Sequence, residues 1–312
     1  MQSVFTVDCH YERPGRAAAY LIIEGAKAAF VDNNTRYAVP HLLAALKEHG
    51  LGPEAVEFII ITHVHLDHAG GTAELLKHCP NATVLAHPKA ARHLADPARL
   101  VAGAKVVYGE AEFDALYGEV VGVDPSRVQI IADGESIAWG SRSLDFFYTL
   151  GHATHHFSIF DTGTNGVFTG DAFGIGQSDV SRPGPSFLAI SSSPADFDAE
   201  EARRSARRIV DTGATVAHVA HFGPFTDLQR GRDQLLRNAD QLEAILEDAI
   251  ASDVPNESLE AWCKPRVVAA TQEHLHWCGV TDIAGDIAWL ERDIRLNAMG
   301  LAIVAQRRRA GR

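Results

Sequence analysis

Apolar positions in the chain fall into two kinds of pattern. Short continuous or alternating runs have the spacing of strands, and stretches with an apolar residue every three or four positions have the spacing of helices. Val4–His10, Tyr20–Glu24 and Ala28–Asp32 predict three strands, with a turn at Gly25. Arg36–Gly50, carrying Val39, Leu42, Leu43 and Leu46, predicts a helix ended by Gly50. Phe58-Ile-Ile-Ile61 is apolar throughout, as expected of a strand covered on both faces. A helix over Thr72–His78 and a strand over Thr83–Ala86 follow, and then a helical, irregular stretch over 88–127. The strand pattern returns at Val128–Ile131, Ser136–Trp139, Leu144–Leu150, Phe157–Asp161 and Gly166–Thr169. Residues 174–194 have no period and are rich in Gly, Ser and Pro, the composition of a long functional loop. A helix over Pro194–Thr212 and a strand over Thr215–Val219 come next, and from Asp227 onward the pattern is helical, with breaks near Pro255 and Gly279. Two strand-rich stretches, each followed by helix, predict an α/β protein with a duplicated arrangement.

Composition narrows the class. A chain of 312 residues, 46% apolar and 22% charged, can bury a sizeable core. It carries no apolar run of the roughly 18–20 residues that a membrane helix needs, so no membrane partner is expected. The start lacks the basic and apolar regions of a secretory signal, and the expected location is cytoplasmic. Against 28 Lys and Arg stand 40 Asp and Glu, a net charge of −12 that repels phosphate backbones and argues against a nucleic-acid partner. The one basic cluster, Arg307–Arg309 with Arg312, reads as a solvated terminus. Cys9, Cys79, Cys263 and Cys278 lie far apart, as expected of free thiols in a reducing compartment.

The chemistry is concentrated in His63-Val-His65-Leu-Asp67-His68, directly after the buried strand and before a helix. In an extended segment His63 and His65 point the same way and can grip one metal ion. Asp67 and His68, where the chain turns into the helix, can face a second point nearby. Imidazoles with a carboxylate suit zinc or a similar first-row ion. Three further polar signals also sit at strand ends: Gly151-His152-Ala-Thr-His155-His156, Thr169-Gly170-Asp171 and Ala220-His221-Phe-Gly-Pro224. A lone His or Asp at a strand end is usually a cap. Their joint occurrence in this order makes them specific.

These motifs resemble those of the metallo-β-lactamase-fold hydrolases over roughly residues 1–225. The resemblance implies a four-layer αββα sandwich as a catalytic core over 1–225, with a helical extension packed on it over 226–312. The helices after Pro255 read alternatively as a second small domain. It also implies two divalent ions, with zinc expected first and iron or manganese next. His63, His65 and His152 would hold one ion and Asp67, His68 and His221 the other, with Asp171 bridging both. Asp32, His155 and His156 would support these ligands from behind, although His155 stands where the family motif often has Gly. His218 competes with His221, which is preferred because it lies past the strand end.

The implied activity is that of a dinuclear hydrolase. A hydroxide held between the ions would attack a small ester-like substrate, a thioester, lactone or related carboxyl derivative, with Asp67 orienting it and moving the proton. The alternative within the same fold is a persulfide dioxygenase with one iron, which would need only the first ligand set. Phe187, Leu188 and Ile190 in the 174–194 loop, and Tyr108, Phe113 and Tyr117 in the helical stretch, are candidates for apolar walls over the metals. The apolar stripe Leu235, Leu236, Leu242, Ile245 and Leu246 reads as core, with a homodimer interface as the other reading.

Overall fold

A computed structural model describes residues 3–176, 187–192 and 197–311. The first sheet is built in chain order from β1 (Val4–Asp8), β2 (Ala18–Glu24), β3 (Lys27–Val31), β4 (Val56–Ile61), β5 (Thr83–Ala86) and β6 (Val128–Ile130). Its first two pairings are antiparallel and the other three parallel. The connections carry α1 (Val39–Glu48), α2 (Leu66–Ala69), α3 (Thr72–His78), α4 (Pro88–Ala95), α5 (Ala98–Tyr108) and α6 (Glu110–Tyr117).

The second sheet uses β7 (Ser136–Trp139), β8 (Arg142–Tyr148), β9 (Phe157–Asp161) and β10 (Gly166–Gly170). A short pair, β11 (Ile175–Gly176) and β12 (Leu188–Ala189), stands apart from it. After α7 (Ala199–Asp211), strands β13 (Val216–Val219) and β14 (Gly223–Phe225) complete the sheet, in the order β14-β13-β10-β9-β8-β7. The chain ends in α8 (Leu228–Ala251), α9 (Leu259–Trp277), α10 (Ile283–Trp289) and α11 (Glu291–Ala310).

The two sheets face each other, and helices cover both outer faces, giving the four layers the resemblance implies. The Ile59-Ile60-Ile61 run explains how. Ile60 joins Val31, Phe146, Phe157 and Phe168 between the sheets, whereas Ile59 and Ile61 pack outward with Phe30, Leu42, Leu46 and Leu75. An alternating backbone buries every position of the run because both faces are dry. On the far side, the outer face of the second sheet packs with α7 and with α8–α11 in one continuous core that includes Leu235, Leu242, Ile245 and Leu246. The helices after Pro255 belong to this shared core: Leu259, Val267, Leu275 and Leu301 are buried in it.

Several expectations shift at their edges. The helix expected from Pro194 starts at Ala199, because Asp198 caps it by accepting from Glu201 N at 3.0 Å. Residues 193–196 lie outside the described residues. The middle of the 174–194 loop also lies outside them, while its two ends pair as β11 and β12. Phe187, Leu188 and Ile190 are buried in the core shared with the C-terminal helices. β14 was invisible to periodicity because it is only three residues long and contains Pro224. Among the described residues no helix is long and apolar enough to cross a membrane.

Candidate metal centre

The site lies where strands end. β3 leads into Asp32, β4 into Thr62–His68, β8 into His152, β10 into Asp171 and β13 into His221. Strands β8, β10 and β13 run in the same direction within their sheet, so the loops after them emerge at one edge. His63 and His65 flank Val64, whose side chain is buried in the core. The extended backbone at His65 passes directly into α2, which carries Asp67 and His68. Gly170 turns β10 at φ +47°, and a Cβ there would sit 2.6 Å from both His156 Nε2 and Thr62 Oγ1. Only glycine lets Asp171 follow the strand this closely.

Two groups of donors converge. His63 Nε2 lies 3.0 Å from His65 Nδ1, and His152 Nε2 lies 2.9 Å from the same atom. In the second group His68 Nε2 is 3.3 Å from His221 Nε2, and Asp67 Oδ2 is 3.4 Å from His221 Nε2 and 3.7 Å from His68 Nε2. Asp171 stands between them: Oδ2 is 3.5 Å from His152 Nε2, and Oδ1 is 3.3 Å from His68 Nε2 and 3.6 Å from His221 Nε2. Ligand atoms at about 2.0–2.2 Å around one tetrahedral ion stand roughly 3.3 Å apart, so this spacing fits divalent ions. Asp171 Oδ1 is also buried without a hydrogen bond of good geometry, an orphaned acceptor that a cation would satisfy. The donor set of imidazole and carboxylate suits zinc, iron or manganese. All seven residues expected to be ligands are therefore brought together.

Behind them lies a layer that fixes which ring nitrogen faces inward. Asp32 Oδ2 accepts from His68 Nδ1 at 2.9 Å. The same carboxylate takes the Thr62 hydroxyl at 2.8 Å and the Thr62 amide at 2.9 Å, and Thr62 Oγ1 lies 3.1 Å from His63 Nδ1. One carboxylate thus orients a histidine in each donor group, directly in one and through a hydroxyl in the other. Each Nδ1–H is tied back and each Nε2 lone pair is left facing the centre. His156 Nε2 accepts the Asp171 amide at 3.2 Å, and its Nδ1 meets Thr149 Oγ1 at 2.9 Å. His155 is buried beside the first group, its Nδ1 taking the Val64 amide at 3.4 Å and its ring 5.5 Å from that of His65. His152 Nδ1 donates to Ser191 O at 2.8 Å and His221 Nδ1 to Arg16 O at 3.0 Å. Thr62 and these two carbonyls escaped sequence reasoning. Thr62 was detectable only as the residue before the motif, and a backbone carbonyl carries no residue-type signal.

The electrostatics divide along the same line. Burial, followed by the neighbouring imidazoles, holds His63 and His65 well below the usual histidine range, so both are neutral donors. Burial opposes charge on His68 and His221, but Asp171 and Asp67 outweigh it and hold both above that range. Burial would likewise raise Asp67 and Asp171, and the histidines beside them pull both carboxyls below the usual range instead. Bound cations would take over the role these protons play.

Other candidates fall elsewhere. His218 points into the sheet interface, its ring stacked on Phe168 at 4.7 Å, so His221 takes the strand-end place. His87 caps α4 by accepting from Lys89 N at 3.0 Å. Phe113 and Tyr117 pack with Tyr11 and with Leu66 of the α2 turn, and Tyr11 and Tyr117 share a hydroxyl contact of 2.9 Å. This small cluster abuts the turn that carries Asp67.

Fold and site together define a metal-centre protein of the αββα class. The family model of the metallo-beta-lactamase superfamily matches residues 13–221, and the chain belongs to that superfamily. It is 27% identical over 174 residues to the metallo-beta-lactamase fold-containing protein ST1585 of Sulfurisphaera tokodaii, covering 54% of this chain and 62% of that one. It is 30% identical over 119 residues to the hydroxyacylglutathione hydrolase of Citrobacter koseri, covering 38% of this chain and 34% of that enzyme. The chain therefore spans less than two thirds of either relative's length. Among solved structures, the Sulfolobus tokodaii ST1585 protein superposes with a TM-score of 0.66 at 21% identity, covering 96% of this chain and 98% of that one. The family protein TTHA1429 of Thermus thermophilus gives 0.65 at 21% identity, over 100% and 95%. At these identities the structural likeness establishes the fold.

Proposed function

We propose that the protein is a hydrolase with two divalent ions, zinc in the first instance, acting on a small ester-like substrate: a thioester, lactone or related carboxyl derivative. The observation that carries this reading is the position of Asp171 between two three-residue donor groups, each complete without it. Divalent ions at such a centre supply Lewis acidity and bring the pKa of a water to about 7.

The chain's own contribution is orientation and proton handling. His63 and His65 present neutral nitrogens to one position, where His152 joins them, and His68, His221 and Asp67 define the other. Asp67 is the more open carboxyl, with 23% of its side chain exposed against 6% for Asp171. Kept ionised by His68 and His221, Asp67 can accept a proton from the attacking water at a carboxylate oxygen and return it to the leaving group. No serine or cysteine nucleophile is required. The hydroxyacylglutathione hydrolase among the relatives makes an S-acyl thioester the first compound to try.

The test is metal analysis of protein purified without chelator, followed by a screen against thioesters, lactones, β-lactams and phosphodiesters. Close to two ions per chain and turnover of a carboxyl derivative are expected. A single iron with oxygen uptake on a persulfide would overturn the reading in favour of the dioxygenase alternative.

A further inference from the structure

The last helix approaches the metal centre through two side chains one turn apart, Asp293 and Asn297, which share a face of α11. Asn297 clamps the segment after β12. Its Oδ1 accepts the Ser192 amide at 2.7 Å and its Nδ2 donates to Ile190 O at 3.0 Å. Between those two contacts lies Ser191, whose carbonyl receives His152 Nδ1 at 2.8 Å. Helix α8 holds the same segment from the other side, with Gln234 Oε1 accepting Leu188 N and Asn238 Oδ1 accepting Ile190 N, both at 2.9 Å. His274 Nε2 of α9 meets Leu188 O at 2.8 Å. The segment Leu188–Ser192 is thus held by amide and imidazole side chains from three helices.

Asp293 acts on the other donor group. Its Oδ2 accepts from Arg16 Nη2 at 2.6 Å, an ion pair with the arginine side chain only 5% exposed. The carbonyl of that same Arg16 receives His221 Nδ1 at 3.0 Å. The backbone beside it is tied further, because the Ala18 amide donates to Ala220 O at 2.8 Å.

We propose that α11 is a positioning element of the metal centre: Asn297 and Asp293 fix the two backbone carbonyls that orient His152 and His221, one histidine in each donor group. This rests on the metal-centre reading above. A histidine whose Nδ1–H is held keeps its Nε2 lone pair aimed at the ion, and loosening that hold weakens the metal without removing a ligand. The C-terminal extension, which supplies none of the seven donors, is in this way built into the site.

The experiment is cobalt(II) titration of the full chain, reading the visible absorption spectrum and competition with a chromophoric chelator. It compares wild type with Asn297→Ala, Asp293→Asn and, as a control on the same helix, Gln306→Ala. Gln306 Nε2 donates to Asn256 O at 2.8 Å, near the surface. The expected result is a drop of about tenfold in one of two successive binding constants for Asn297→Ala and in the other for Asp293→Asn, at the low end of the effect of partners behind metal ligands. Shifted cobalt spectra should accompany these losses, with Gln306→Ala unchanged. If Asn297→Ala does not fold, Asn297→Asp, which keeps the oxygen facing Ser192 N, and Asp293→Asn decide by the same readout. Wild-type affinities and spectra in these variants would overturn the positioning role while leaving the metal centre standing. Failure of the wild type to bind cobalt would overturn both.

Discussion

His68 donates its Nδ1 proton to the Asp32 carboxylate at 2.9 Å, and both residues are almost wholly buried. Asp32 sits at φ +56°, just past the end of β3, a left-handed position that turns its side chain back under the His63–His68 segment. Its remaining capacity is taken by Thr62, so this carboxylate is shared by both halves of the centre. Asp32→Ala should therefore loosen His68 directly and His63 through Thr62. The expected outcome is a 10–100-fold loss of metal affinity with all seven donors still present. Chelator competition monitored by metal analysis checks it, and unchanged affinity would remove Asp32 from this role.

In the proposed hydrolysis Asp67 is the donor that moves protons. Asp67→Asn keeps the shape but lowers the basicity of the group facing His221 at 3.4 Å. Turnover of the best substrate from the screen should fall by about 10²–10⁴-fold, the usual contribution of a positioned acid or base. The far-ultraviolet circular dichroism should not change. Retention of more than a tenth of wild-type kcat would mean that the proton travels by another group.

His218 offers a pH test away from the metal ligands. Its two ring nitrogens are buried without a hydrogen-bond partner among the described residues, and burial pushes its pKa down to about 4. An unfolded histidine titrates near 6.5, so the unfolded chain takes up the proton first as pH falls. Stability from neutral His218 is fully present above about pH 6.5 and is lost as pH falls from there through about 4. The loss amounts to roughly 3 kcal/mol at most. His218→Phe, which keeps a ring against Phe168, should flatten this part of the curve. Thermal melts of wild type and variant between pH 4.5 and 7.5, in paired buffers, give the difference. Parallel curves would show that His218 is not the titrating group.

The four cysteines are free and buried. Burial pushes Cys79, Cys263 and Cys278 up to about 11, and Cys9 higher still. Since the thiolate is the reactive form, native protein at pH 8 should resist a disulfide reagent such as dithionitrobenzoate, while denaturant should release all four thiols. Rapid labelling of one thiol in native protein would place that cysteine at the surface.

The side chains that make up the centre were legible in the chain, because their chemistry and spacing are local. The His63–His68 spacing implied paired donors, and the family resemblance supplied His152, Asp171 and His221, each just past a strand end, as the rest. The Ile59–Ile61 run already implied a strand covered on both faces, and the helical pattern after Asp227 held as far as Ala310.

Asp32, His155 and His156 were expected behind those donors, and tertiary structure alone added Thr62 and the backbone carbonyls. Asp32 and Thr62 meet across adjacent strands, and the ring of His218 lies against Phe168 within the fold, whereas His221, already preferred for its place past the strand end, stands among the donors. The carbonyls of Arg16 and Ser191 belong to residues whose side chains say nothing of the role, and they are held by α11 from more than a hundred positions away. The 174–194 stretch reads as a loop in composition, yet Phe187, Leu188 and Ile190 belong to the helical core. A side chain carries its chemistry wherever it lies in the chain, whereas a backbone carbonyl is the same at every residue and acquires a partner only when packing delivers one.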